Sequence, residues 1–204
     1  LGEDDLFYRG GYFIFRRVVD EVKKYQIIYA DPPWNIQIIS RQVRPKQLDM
    51  PYTRMSYEDI CNLPIQNISD PEHCHLFLWV THKWLPKAFK VMESWGFSYN
   101  CCLTWNKTYG FTPFSFMWST EFLLYGQLKG KWKRPIGVGK FKTCFTEKPT
   151  KHSKKPRIAR RIIEGFCGDL SRIELFARKE NDLFNEFEGW DVWGNEVESD
   201  IELK

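Results

Sequence analysis

The 204 residues contain no apolar run near the ~20 that a membrane-spanning helix requires, and no secretory leader is visible. They also contain no Cys-x-x-Cys pair and no Cys/His cluster at zinc spacing. His73 and His75 flank Cys74, but strand alternation would put the two imidazoles on one face and the thiol on the other. Cys61, Cys74, Cys101, Cys102, Cys144 and Cys167 therefore read as reduced thiols, and no metal is expected. These absences place the chain in the cytoplasm, or in the nucleus if its source is eukaryotic. Internal repeats and domain-sized linkers are also missing, so residues 1–204 are expected to form a single domain with a real core. The chain opens at Leu1 rather than Met, which leaves a start further upstream open.

Aromatic residues, by contrast, are abundant: 17% of the chain, with nine Trp. They can fill a core or serve as base-stacking platforms. The net charge of +4 hides a polarity. Thirteen Lys/Arg and one acid, Glu147, lie between Lys129 and Arg161, whereas acids dominate from Glu180 to the end. A basic strip beside an acidic tail points to a polyanion at one face; a solvated loop of scattered charge is the plainer alternative.

Ile27-Ile28-Tyr29-Ala30-Asp31-Pro32-Pro33-Trp34 organises the rest. A buried strand should stop at Ala30, because Pro32 and Pro33 have no amide hydrogen to extend a ladder. Asp31, a free Pro32 carbonyl and the Trp34 indole would then stand at the carboxyl edge of a sheet, where open α/β sheets bind ligands. Two acceptors there could hold the two N–H groups of an exocyclic adenine amine, with Trp34 stacked on the base. An electrophilic methyl group placed in line would complete the reaction, which rests mainly on positioning. The same residues also read as a strand, a stiff Pro-Pro turn and a packing Trp. Four residues alone do not separate the two.

Around this motif, strands are expected at Tyr25–Ala30, His75–Val80, Phe97–Trp105, Thr120–Tyr125 and Arg172–Ala177, with a short one within Lys140–Phe145. Tyr12–Val22 reads as strand or helix. A helix should start at Ser56, with Asp59 completing a capping box, and end before Pro64. A second should run from Lys83 to Trp95, capped by Thr81 and stopped by Gly96. A third should begin at Pro156 and reach about Phe166. Asn35–Met50, Lys107–Trp118 and most of Lys129–Lys155 read as loops. Strands alternating with helices imply an α/β fold, a mostly parallel central sheet with helices on both faces.

In this order the residues resemble the N6-adenine methyltransferases that carry an Asp-Pro-Pro-Trp motif. This family includes the catalytic subunit of the mRNA adenosine methyltransferase and bacterial and phage enzymes. The similarity spans about Tyr25 to Glu196. It rests on Asp31-Pro32-Pro33-Trp34, Pro51-Tyr52-Thr53-Arg54-Met55-Ser56, the strand His75–Thr81, Lys155-Pro156, Arg172–Arg178 and Gly194-Asn195. The resemblance implies a Rossmann-like fold and S-adenosyl-L-methionine as methyl donor. It implies Asp31, Pro32, Pro33 and Trp34 as catalytic residues. It implies Asp31, Lys155, Glu174, Arg178, Asn181 and Asn195 as cofactor-binding. Within that set Glu174 would take the ribose hydroxyls, and Lys155 the methionine carboxylate, aided by a helix amino end. Tyr52 would touch the substrate base. Glu121, facing the expected cleft from a strand start, has no assigned role.

The chain departs from the family in places. It has no Gly-rich Phe-x-Gly-x-Gly loop, Glu180 stands where the mRNA enzyme has His, and Asn35–Met50 is longer. Arg41, Arg44, Lys46, Lys107, Lys131, Lys133 and Arg134 are expected to bind a nucleic-acid backbone and offset the cost of flipping a base. Compactness and the Trp190–Glu196 tail favour DNA over RNA. A non-catalytic nucleic-acid-binding subunit is the rival reading, and the resemblance also allows a homodimer or heterodimer.

Overall fold

The computed structural model describes residues 5–9, 12–16, 22–34, 55–111, 116–150, 154–178 and 187–203. Strands β1 (Asp5–Arg9) and β2 (Tyr12–Arg16) pair as a separate antiparallel hairpin, so the segment left open between strand and helix is a strand over part of its length. The main sheet has seven strands: β3 (Ile27–Ala30), β4 (His75–Val80), β5 (Phe97–Phe111), β6 (Trp118–Leu128), β7 (Cys144–Thr146), β8 (Arg172–Leu175) and β9 (Asp191–Trp193). Their order is β7-β5-β6-β4-β3-β8-β9. β3 pairs in parallel with β4 and β8, β8 with β9 and β5 with β7, while β6 runs antiparallel between β4 and β5.

β3 and β4 are buried on both faces, which is why they read as unbroken apolar runs rather than alternating ones. Ile28, Ala30, Leu76, Leu78 and Val80 face one core, with helices α1 (Tyr57–Cys61) and α2 (Leu85–Ser94) packed over it. Ile27, Tyr29, Phe77 and Trp79 face the other, under α3 (Arg157–Cys167). Trp79 and Trp95 are fully buried, and both indole N–H groups find acceptors: the Tyr29 hydroxyl at 2.7 Å and the Ile60 carbonyl at 2.8 Å. A buried aromatic of this size contributes ~1.5–3 kcal/mol.

The capping box is formed as expected: the Asp59 amide donates to Ser56 Oγ at 3.0 Å and the Ser56 amide to Asp59 Oδ2. Thr81, however, does not cap α2 with its side chain. Its carbonyl accepts the Trp84 amide, and the helix begins at Leu85 on a turn, with Pro86 in its first turn. β6 passes straight through Gly126 rather than ending there, and β5 and β6 extend beyond Trp105 and Thr120 into the segment expected to be loop. Gly126 is required inside the strand, because a Cβ would stand 2.5 Å from both Met92 Cε and the Ser98 carbonyl oxygen.

β4 lies on one side of β3 and β8 on the other. The crossovers leave β3 in opposite directions, which opens a crevice beyond its carboxyl end. At the opposite, amino end, His75 is 2% exposed and its Nδ1 lies 3.1 Å from the Tyr125 hydroxyl. That hydroxyl already accepts from Gln127 Nε2, so its own proton points to a neutral His75. Burial, reinforced by His73 and Lys133, brings the His75 pKa down to about 4. Between pH 6.5 and 4 the unfolded chain binds a proton that the folded chain refuses, so stability falls as pH falls. The expected loss is on the order of 3 kcal/mol across that window. Urea melts at stepped pH should show this slope, and His75→Leu should remove the His75 share of it, leaving the smaller contributions of His73 and His82, which are shifted the same way.

Candidate active site

Asp31 leaves β3 directly, its amide donating to the Leu175 carbonyl at 3.4 Å, and the two prolines end the ladder. The chain then tightens: the Trp34 amide donates to the Pro32 carbonyl at 2.8 Å, closing an i to i+2 turn around Pro33. The Pro32 carbonyl is therefore not free, as the sequence suggested. One lone pair is committed, and only the second could receive another donor. Trp34 also differs from expectation. It is 6% exposed, its Nε1–H donates to the Trp79 carbonyl at 3.0 Å, and its ring stacks on Trp84 with centroids 5.8 Å apart. It pins the turn to the core and has no open face to offer a base.

The Asp31 carboxylate heads a chain of alternating charges. Lys155 Nζ lies 3.1 Å from Asp31 Oδ1 and 3.1 Å from Glu121 Oε2, and Lys107 Nζ donates to Glu121 Oε1 at 3.0 Å. All four side chains are 20% exposed or less. Lys155 sits over the Trp79 ring, 5.4 Å from its centroid. Two acids around one ammonium hold Lys155 charged, with its pKa raised despite burial. Glu121, between two lysines, is held below the usual range although burial opposes this. Asp31 goes the other way. Burial raises its pKa, Lys155 and Arg178 offset part of this, and Glu121 adds to it. The carboxylate nearest the crevice is thus pushed up while its neighbour is held down.

Lys107 reaches Glu121 diagonally across the hairpin, two residues beyond Trp105, which pairs with Glu121, and an irregularity follows it. Asn106 pairs with Thr120, but the next pair is Phe111 with Trp118, leaving extra residues on β5. Thr108 takes a positive φ of 66°, and its amide donates to Asn106 Oδ1 at 3.0 Å. Lys107, expected as a backbone-binding cation, is instead a buried ion-pair partner inside the site.

Glu174 lies on β8 between Ile173 and Leu175, which point into the core on the other face. Arg160 on α3 grips it, with Nε donating to Glu174 Oε2 at 2.7 Å. The Arg160 guanidinium is itself held 6.0 Å from the Tyr29 ring centroid and 5.0 Å from that of Phe187. The sequence reading missed Arg160; its place one turn into a helix that begins at Pro156 was the available signal. The α3 amino end is not open to a ligand's charge. Glu147 accepts its Arg157 amide at 3.0 Å and its Ile158 amide at 3.4 Å.

Tyr29, Asp31, Lys155, Arg160, Glu174 and Arg178 line an open cleft with a cavity volume of about 60 Å³, with Phe176 and Phe187 as apolar walls. A second open cleft, also of about 60 Å³, shares Phe176 and Arg178 and continues past Pro33, Met55 and Trp193 to Asn195. The backbone bends sharply there: Phe176 has a φ of 62°, and a Cβ on Gly194 would stand 2.3 Å from the Ala177 carbonyl oxygen. Asp31, Lys155, Glu174, Arg178 and Asn195 are therefore gathered along one edge, and Pro33 joins them. Tyr52, Arg41, Arg44, Lys46 and Asn181 lie outside the described residues.

Lys131, Lys133 and Arg134 are not at this edge. β6 runs antiparallel to β4, so the segment that follows it emerges at the amino end of the sheet. There the Leu128 amide donates to the Cys74 carbonyl, the Lys133 amide to Gln127 Oε1, and Lys131 lies 3.8 Å from Glu72. All six cysteines are free, and among the described residues no group of three His, Cys, Asp or Glu is arranged to hold a metal. No helix among them is long and apolar enough to cross a membrane.

Known proteins share this arrangement of sequence. The chain is 30% identical over 191 residues to the type II methyltransferase M.MunI of a Mycoplasma species, covering 86% of this chain and 78% of that one. It is 27% identical over 192 residues to the human N(6)-adenine-specific methyltransferase METTL4, and 26% identical over 185 residues to the human N(6)-adenosine-methyltransferase catalytic subunit METTL3. Each alignment covers 86% of this chain, but only 38% and 28% of those longer proteins. The MT-A70 family model matches residues 25–196, from the strand that delivers Asp31 to the segment after Asn195, and the chain belongs to that family.

Proposed function

We propose that this chain is an S-adenosyl-L-methionine-dependent methyltransferase acting on the N6 amine of adenine in DNA. The observation that carries the reading is Asp31: a half-buried carboxylate with a raised pKa at the carboxyl end of β3, fixed by Lys155 at the mouth of the cleft. The donor set of that cleft suits the cofactor. Glu174 can accept ribose hydroxyls, Arg178 and Lys155 supply positive charge for a carboxylate, Phe176 and Phe187 flank a flat ring, and Asn195 adds an amide. When bound, the cofactor supplies an electrophilic methyl group on a sulfonium.

The residues of the chain do the rest. Asp31 accepts an N–H of the amine and orients its nitrogen. As that nitrogen gains positive charge, the carboxylate stabilises it in a site shielded from water, and it then receives the proton the nitrogen gives up. Its raised pKa favours that acceptance. Lys155 keeps Asp31 ionised and directed, and Glu121 keeps Lys155 in place. Trp34 fixes the turn from behind. With both the acid and the cofactor-suited cleft present, a purely non-catalytic role has no support here.

DNA is favoured by the basic strip and by the likeness to a type II methyltransferase over most of that protein's length. The test is methyl incorporation from labelled S-adenosyl-L-methionine into matched DNA and RNA oligonucleotides pooled over sequence contexts. Label in DNA is the expected result; label confined to RNA would move the substrate to the alternative shared with METTL3-type relatives.

A further inference from the structure

Residues 129–142 carry Lys129, Lys131, Lys133, Arg134, Lys140 and Lys142 and no acid. All six are exposed, yet the loop is built rather than loose. Pro135 and Gly137 are buried, the Gly137 amide donates to the Phe166 carbonyl at 2.9 Å, and the Lys133 amide donates to the buried Gln127 side chain at 2.8 Å. The same ordered loop displays Trp132 at 65% exposure and Ile136 at 68%.

The loop is joined to the catalytic edge by α3. Arg157, Arg161 and Gly165 fall on one exposed stripe of that helix, four residues apart. Arg157 stands at the carboxyl end of the sheet beside Lys155, and Phe141 of the loop lies directly over Gly165, where a Cβ would come within 2.6 Å of its ring. A line of positive charge thus runs from the cleft, down α3, to the loop at the opposite end. Of the nearby acids, Glu147 caps α3, Glu164 accepts the Trp190 indole N–H at 2.7 Å, Asp169 lies 3.2 Å from Arg172, and the exposed Glu72 lies 3.8 Å from Lys131.

We propose that this stripe and loop form a phosphate-binding track for the duplex DNA that flanks the modified base. The proposal rests on the DNA reading above and adds a second contact region to it. Charge selects the occupant: six cations in an ordered loop that carries no acid of its own, with only Lys131 near one, Glu72 at 3.8 Å, match a polyanion. The exposed Trp132 would meet sugar or an unstacked end base. β4 spans five residue steps, so the track's far end lies roughly 17 Å from the catalytic edge, about five base pairs of duplex. Only DNA extending beyond that distance can engage both regions.

The test compares wild type with a Lys140→Gln/Lys142→Gln/Arg161→Gln variant by fluorescence anisotropy, from 50 to 300 mM KCl, on a 30-bp duplex and on an 8-bp duplex whose target adenine is central, so that at most about four base pairs flank it on either side. For wild type on the long duplex, log Kd should rise linearly with log salt. The variant should lose ~0.9 from that slope for each phosphate contact removed, and bind at least ~10-fold more weakly near 100 mM salt. On the short duplex the two proteins should bind alike. An unchanged slope on the long duplex, an equal loss on both duplexes, or no salt-dependent binding by wild type would overturn the track. Binding needs no turnover, so the two readings fail separately. Methylation with an unaffected slope discards the track alone, and a length-dependent slope without methylation discards the catalytic reading alone.

Discussion

Asp31→Asn should reduce the rate of methyl transfer by about 10² to 10³-fold, equivalent to roughly 3–4 kcal/mol of transition-state stabilisation. The asparagine keeps the shape and one acceptor but cannot counter a cationic nitrogen or receive its proton. The fold should tolerate the change, because Glu121 still pairs with Lys155 at 3.1 Å. The sign of the Asp31 shift supports this. Its folded pKa is raised, so above the usual carboxylate range the folded state binds a proton more readily than the unfolded chain. In that window stability falls as pH rises, and the ionised Asp31 is held at a cost to the fold rather than for its benefit. Catalysis needs the ionised form, so the acid limb of kcat/KM should lie above the ordinary aspartate value and vanish in Asp31→Asn. Steady-state rates from pH 4.5 to 8 check both the magnitude and the limb.

The second large effect concerns Glu174. Glu174→Gln should weaken binding of S-adenosyl-L-methionine by about 10- to 100-fold, the range expected when hydrogen bonds to a charged acceptor become bonds to a neutral one. Glutamine retains an oxygen for Arg160, whose guanidinium also remains packed between Tyr29 and Phe187, so the site should stay folded. Calorimetric titration of each protein with the cofactor measures the change directly. An affinity equal to wild type would show that Glu174 serves only to hold Arg160.

The legible parts of the site are those set by local chemistry. Pro32 and Pro33 stop β3 at Ala30 whatever surrounds them, and the Ser56/Asp59 box starts α1 by contacts three residues apart. Alternation along Ile173-Glu174-Leu175 was enough to turn Glu174 away from the core that its neighbours fill. What could not be read depends on strand direction and distant partners. The Lys131–Arg134 segment has the right charge for the catalytic edge, but antiparallel β6 carries it to the other end. Lys107 looks like a surface cation until the pairing of Trp105 with Glu121 sets it diagonally across from that acid, fourteen residues away. Trp34 looks like a stacking platform until Trp84, from the turn before α2, covers its ring. Glu121 itself, recognised only as a strand acid near the cleft, gains meaning once Lys155 is seen between it and Asp31.

The proposed function makes one chemical statement: the nitrogen acted on is the amine of an adenine presented to Asp31. Nucleoside analysis by mass spectrometry, after incubating the protein with DNA and S-adenosyl-L-methionine and digesting the product, tests it most directly. N6-methyldeoxyadenosine as the methylated nucleoside, lost with Asp31→Asn, is the predicted result. Methylation on cytosine, or N6-methyldeoxyadenosine formed as fast by the Asn variant as by wild type, would contradict it.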